Sequence, residues 1–117
     1  EGLSDNIKVI SIIGPLLEHS RIFWFANGEE PEAYIGSADW MTRNMDRRVE
    51  AITPIEEPAL RRKLERLLDL YMQDNRGAWD MHSDGSFTQR TPEDDQSECN
   101  SQFQLTSQWS HGVHPVR

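Results

Sequence analysis

Residues 19–39 read His19-Ser20-Arg21-Ile22-Phe23-Trp24-Phe25-Ala26-Asn27-Gly28-Glu29-Glu30-Pro31-Glu32-Ala33-Tyr34-Ile35-Gly36-Ser37-Ala38-Asp39. Ile22-Phe23-Trp24-Phe25 is apolar at both alternate sets of positions, which predicts a strand covered on both faces. Asn27-Gly28 marks a turn, and Pro31 keeps the connection open. Ala33-Tyr34-Ile35-Gly36 predicts a second strand, antiparallel to the first. A histidine and an arginine stand where this hairpin begins. A glycine, a serine and an aspartate stand where it ends.

Upstream, Ser4, Asp5 and Asn6 are helix N-cap types, and Ile7, Ile10, Ile13 and Leu17 follow at roughly helical spacing. The spacing predicts a helix over about 6–18, kinked or broken at Gly14-Pro15 because proline removes an amide donor. Downstream, Val49 to Thr53 predicts a third strand that Pro54 ends. A helix over about 58–75 is the clearest element. Pro58 suits its first turn, Glu56 and Glu57 complement its positive end, and Gly77 reads as its cap. Leu60, Leu64, Leu67, Leu68 and Tyr71 form one apolar stripe, with Arg61, Arg62, Lys63 and Arg66 mostly off it on a solvated face. Residues 79–90 predict a hairpin around Ser83-Asp84-Gly85-Ser86. From Thr91 on, polar residues dominate. The expected organisation is one domain over 1–90 and a mobile polar tail over 91–117.

Composition bounds the rest. The chain has 117 residues, 36% hydrophobic and 27% charged, enough for one compact soluble domain. It begins with Glu1, as expected of an excised piece or an incomplete reading frame. No apolar run approaches the roughly 20 residues of a membrane span, and no secretory signal opens the chain. The single Cys99 excludes an internal disulfide, fits a reducing compartment, and reads as incidental. The net charge is −8: residues 1–79 hold 14 acidic and 10 basic side chains, and residues 80–117 hold 6 and 2. Such a chain is a poor partner for nucleic acid or anionic membranes. A local polyanion site is still open to it, since Arg43, Arg47 and Arg48 fall within six residues.

The candidate chemistry lies in two segments. His19 and Arg21 share a face if the chain is extended there, so imidazole and guanidinium could address one anion. Gly36 allows close backbone approach, Ser37 offers a hydroxyl, and Arg43 adds charge. A histidine is a competent nucleophile toward phosphorus and titrates near neutrality. Backbone donors, hydroxyls and cations stabilise phosphate oxygens.

Taken together, His19-x-Arg21 followed by Gly36-Ser37-Ala38-Asp39 resembles one half of the phospholipase D signature, a His-x-Lys followed by Gly-Ser-x-Asn. Arg21 stands for the lysine, Ala26 for an aspartate and Asp39 for the asparagine, so an ordinary phospholipase is disfavoured. The same departures fit another branch. Gly2-Leu3-Ser4-Asp5-Asn6-Ile7, Ser11-Ile12-Ile13-Gly14, Leu17-Glu18-His19-Ser20-Arg21-Ile22, Gly36-Ser37-Ala38-Asp39-Trp40-Met41-Thr42-Arg43-Asn44 and Asp46-Arg47-Arg48-Val49-Glu50 closely resemble the final domain of ATP-dependent polyphosphate kinases. The resemblance runs over about 2–80. One departure is Pro15, where that family usually carries an arginine.

This resemblance implies an α/β (α+β-like) phospholipase D-like half-domain with a small mixed sheet flanked by helices. It implies reversible transfer of the ATP γ-phosphoryl group to polyphosphate, with Mg²⁺ bound mainly outside this stretch. His19 matches the family's second histidine, which assists the transfer; the histidine that carries the phosphate belongs to a preceding domain. His19, Arg21, Ser37 and Arg43 are the expected ATP- and phosphate-binding residues. Partners would be ATP, ADP, polyphosphate and the remaining domains of the enzyme, with room for a homo-oligomer. The location would be the cytoplasm, with room for membrane association. The piece by itself is expected to be inactive. The rival readings are a phospholipase D-type phosphodiesterase and a non-catalytic interaction module, the latter suggested by Pro15 and the acidic tail.

Overall fold

A computed structural model of the chain describes residues 6–37 and 51–110. Its described elements, in order, are β1 (Ile10–Ile12), β2 (Arg21–Phe25), β3 (Glu32–Gly36), β4 (Ile52–Pro54), α1 (Pro58–Gln73), β5 (Ala78–Met81), β6 (Phe87–Gln89) and α2 (Ser101–Ser110). The chain divides into two units: Leu17–Leu68, and a discontinuous unit of Glu1–Leu16 with Asp69–Arg117. The α/β class holds. The strands are shared between two three-stranded sheets, ordered β2-β3-β4 and β1-β5-β6, and each pairing is antiparallel.

The Leu17–Leu68 unit follows the expected hairpin. β2 and β3 pair from Arg21↔Gly36 to Phe25↔Glu32. The connection turns at Asn27 and Gly28, whose φ angles are 45° and 68°. These left-handed values suit a short polar residue and a glycine. On the sheet, Phe25 and Tyr34 meet edge to face at 6.2 Å, a favourable diagonal pair. β4 joins through Tyr34↔Pro54, Ile35↔Thr53 and Gly36↔Ile52. Proline is tolerated there because β4 is an edge strand. The β2 side chains are half-buried rather than covered on both faces, and Phe25 is exposed. Arg61, assigned from sequence to a solvated face, donates from Nη1 to the Pro31 carbonyl at 2.7 Å and ties the hairpin loop to α1.

The second unit corrects three expectations. No helix forms over the described part of residues 6–18; β1 lies there and pairs with β5 as Ile10↔Asp80, Ser11↔Trp79 and Ile12↔Ala78. Val9, Ile10, Ile12 and Ile13 are β-branched and favour extended backbone, and Gly14-Pro15 blocks a helix behind them. Gly77 does not cap α1 in a left-handed turn, because Gly28 and Gly85 are the described glycines with positive φ. Its value is closeness: Ile13 N–H donates to the Gly77 carbonyl at 2.8 Å, and a Cβ on Gly77 would come within 3.0 Å of the Ile13 carbonyl oxygen. Finally, the expected tail contains α2. Asn100 starts it as an N-cap, accepting from Phe103 N–H at Oδ1 over 3.0 Å. Ser101 and Gln102 are buried. The β5–β6 hairpin stands as expected, turning through Gly85, with Asp84 Oδ1 accepting from the amide and hydroxyl of Ser86.

Candidate functional site

Arg21, Gly36 and Ser37 lie at one end of the β2–β3 hairpin, next along the chain to the segment that carries His19. His19 precedes β2 in a stretch without regular structure, and its side chain is exposed. Arg21 is the first residue of β2, in register with Gly36 at the end of β3. Its guanidinium Nη1 donates to the backbone carbonyl of His19 at 2.8 Å. The two residues are therefore coupled through backbone, whereas sequence suggested two side chains on one extended face. Gly36 is small for a local reason as well: a Cβ there would collide with the Ala51 carbonyl oxygen. Ser37 extends the pairing beyond β3. Its amide donates to the Ala51 carbonyl at 3.0 Å, and its Oγ accepts from the Ala51 amide at 3.3 Å.

A cavity of about 510 Å³ opens beside this hairpin end. Ser20, Arg21, Gly36 and Ser37 line its polar part, and Ile22, Ile35, Leu64 and Leu67 contribute apolar walls. One guanidinium, three hydroxyl-bearing residues (Ser20, Ser37 and Thr53) and a glycine suit an anionic oxygen cluster beside an apolar surface. His19 is not among the lining residues. Arg43, and with it Asp39, Arg47 and Arg48, lies outside the described residues. Among the described residues, no group of three or more His, Cys, Asp or Glu is placed to hold a metal ion.

Among the described residues, one densely bonded polar group is absent from the sequence-based candidates. Asp74, fully buried, follows α1. Its Oδ1 accepts from the amides of Arg76, Gly77 and Ala78 at 2.9, 2.7 and 3.1 Å. Its Oδ2 accepts from the amide and hydroxyl of Ser101, each at 2.8 Å. Burial opposes the carboxylate charge, but the hydrogen bonds from Ser101, Arg76 and Gly77 outweigh it and hold the carboxyl below its ordinary range. Next to it, Asn75 accepts from the Cys99 amide at 2.7 Å and donates to the Ser97 carbonyl at 3.1 Å. Arg90 donates to both oxygens of Asp80 at 2.7 and 2.6 Å and to the Met72 carbonyl at 2.7 Å. Burial, then the Asp74 charge, push the Cys99 thiol up, which keeps it protonated and suits an incidental role. An Asp-Asn pair at a helix end was the visible sign of this hub, because Asx side chains capture nearby backbone amides.

Comparison with known proteins gives the following. The family described as "Polyphosphate kinase C-terminal domain 2" matches residues 1–102. A polyphosphate kinase of Parasynechococcus marenigrum (strain WH8102) is 71% identical over 113 residues, which cover 97% of this chain and 16% of that protein. One from Pseudomonas aeruginosa is 45% identical over 116 residues, 99% of this chain and 17% of the relative. The crystal structure of the polyphosphate kinase from Porphyromonas gingivalis superposes with a TM-score of 0.82 at 33% identity, covering 92% of this chain and 16% of that one. The chain thus spans about one sixth of the length of the relatives it matches.

Proposed function

The chain belongs to the polyphosphate kinase family, as its C-terminal domain, and from that premise we propose that it supplies one half of a site transferring the ATP γ-phosphoryl group reversibly to polyphosphate. The observation that carries this is the cavity at the hairpin end, where Arg21, Gly36 and Ser37 stand together beside the segment bearing His19.

In the forward direction the bond from the γ-phosphorus to the bridging oxygen of ADP breaks, and a bond to the terminal oxygen of polyphosphate ultimately forms. A phosphohistidine intermediate would lie on a histidine outside this chain. His19 serves as the supporting imidazole, donating or accepting a proton or steadying the transferring group. Arg21 brings positive charge to the phosphates and orders the His19 backbone through its carbonyl. Ser37 and its neighbouring backbone shape the wall against which phosphate oxygens rest. Arg43 adds a further cation by family resemblance. The cavity residues offer a guanidinium and hydroxyls but no carboxylate, so they do not fit a magnesium ion by themselves. Among the described residues no helix is long and apolar enough to cross a membrane. The use of ATP implies the cytoplasm as the working compartment.

The test is His19→Gln in the whole enzyme. ATP-dependent polyphosphate synthesis is expected to fall about a hundredfold, the lower range for loss of an acid–base group, with the melting temperature unchanged. Full activity in the variant removes the assignment. A phosphodiesterase would instead hydrolyse a model phosphodiester, and that activity would favour the phospholipase D-type reading.

A further inference from the structure

We propose that Asn27 is a site of spontaneous covalent modification, losing its side-chain amide through a cyclic imide to leave aspartate or isoaspartate at the tip of the β2–β3 hairpin. The Gly28 backbone nitrogen gives up its proton and attacks the Asn27 side-chain carbonyl carbon. A carbon–nitrogen bond forms there, the bond to the side-chain nitrogen breaks, and ammonia leaves. Water then opens the imide. Attack at the side-chain carbonyl restores the ordinary peptide with an aspartate. Attack at the main-chain carbonyl carries the chain onward through the side chain, as isoaspartate. Water is the only co-reactant. Asn27 meets what this step needs. Asn27 and Gly28 are both exposed, in the connection between β2 and β3. Gly28 has no side chain to shield its nitrogen, and apart from its chain neighbours nothing lies within 4 Å of where a Cβ would stand. Among the described residues, neither the Asn27 side chain nor the Gly28 amide has a hydrogen-bond partner.

Comparable positions are closed by hydrogen bonds. Gly85 has as much open space as Gly28, but its amide donates to the His82 carbonyl at 2.9 Å. Asp84 Oδ1 accepts from the amide and hydroxyl of Ser86 at 2.9 and 2.6 Å. The Ser86 hydroxyl, then its amide, hold the Asp84 carboxyl below its ordinary range, and an ionised carboxylate is a poor electrophile. At Asn100-Ser101 the Asn100 Oδ1 accepts from the Phe103 amide, and the Ser101 amide donates to the buried Asp74. At Asn75-Arg76 the carboxamide is bonded at both ends, and the Arg76 amide also donates to Asp74. Asx side chains that capture backbone amides in this way hold the turn and withhold both reacting groups. Each event at Asn27 adds a negative charge to a connection that already holds Glu29 and Glu30, so the modified protein separates by charge.

The experiment ages the whole enzyme in its folded state at mildly alkaline pH, where the attacking nitrogen loses its proton more readily. Each peptide is followed by chromatography and mass spectrometry. The peptide holding Asn27 is expected to gain the mass difference between amide and acid and to resolve into aspartyl and isoaspartyl forms. Peptides holding Asn75 and Asn100 are expected to convert at least about tenfold more slowly, because each must first open locally. A sample aged in denaturant supplies the comparison: the Asn100 rate is expected to rise there. Asn27→Gly keeps the left-handed freedom of the turn and removes the amide, and is expected to abolish both the mass gain and the charge change. An Asn27 peptide that keeps its mass in the folded enzyme overturns the proposal. So does conversion at Asn75 or Asn100 as fast as at Asn27, or an undiminished charge change in Asn27→Gly.

Discussion

Asp74 and His19 are opposite kinds of residue. Asp74 is buried with both carboxylate oxygens engaged by five donors. His19 is exposed, on a stretch without regular structure. A buried charge persists only if hydrogen bonds replace its water, so Asp74 is bound into the fold. A residue that must meet a substrate is presented at the surface, and the fold spends little on it. The residue bonded most fully into the fold and the residue proposed for the chemistry thus sit in opposite environments, and stability and activity are expected to respond to different substitutions.

That contrast can be broken by measurement. Asp74→Ala strands the amides of Gly77, Ala78 and Ser101, and is expected to cost about 4 kcal/mol. A lowered urea midpoint with an unchanged slope would register it; a shift within the noise of a surface substitution would end the claim that Asp74 is a hub. Arg90→Met removes two charge-assisted bonds to Asp80 and the bonds to the Met72 and Asp74 carbonyls. Its pair is partly exposed, so the expected loss is about 1 to 2 kcal/mol. At the small end, His19→Gln is expected to change stability by less than about 0.5 kcal/mol. A larger loss on chemical denaturation would mean that His19 is built into the fold after all.

pH sharpens the same contrast. Asp74 titrates below its ordinary value of 3.8 in the folded protein, so the unfolded chain takes up that proton first as the solution is acidified. Its stabilising contribution is complete above the ordinary value and is lost as the pH falls through 3.8 toward the lowered native one. Asp74→Asn cannot titrate at this position. The stability gap between wild type and Asp74→Asn is expected to be full at neutral pH and to narrow below about pH 4. A gap that widened on acidification would reverse the sign and refute the assignment.

Sequence made the local features legible. The β2–β3 hairpin, the β5–β6 hairpin and α1 each depend on residues close along the chain, and Asn27-Gly28, Pro58 and the leucine stripe announced them. The α/β class and the family resemblance followed from the same segments. β1 was misread because Ile7, Ile10, Ile13 and Leu17 imitate a helical spacing; its strand state depends on β5, far downstream. The Asp74–Ser101 and Leu16–Gln102 bonds were invisible for the same reason, and the polar composition after Thr91 hid an N-capped helix. At the candidate site, the pairing of Arg21 with Gly36 follows from the hairpin register that Asn27-Gly28 sets. The Arg21 bond to the His19 carbonyl was not legible, because sequence names side chains and not the backbone atoms they will find.

The discontinuous unit has a consequence for synthesis. Residues 17–68 are inserted between its two parts. Chains emerge from the ribosome N-terminus first, at about 5–20 residues per second. β2, β3 and β4 are consecutive neighbours in their sheet and have their partners soon after they emerge. β1 emerges before all of them, yet its partner β5 starts only at Ala78. Among the described strands, β1 thus has no partner until the inserted unit has been made. Its three-residue length, with Gly14-Pro15 directly behind it, keeps that waiting edge short and poor at recruiting a stray strand.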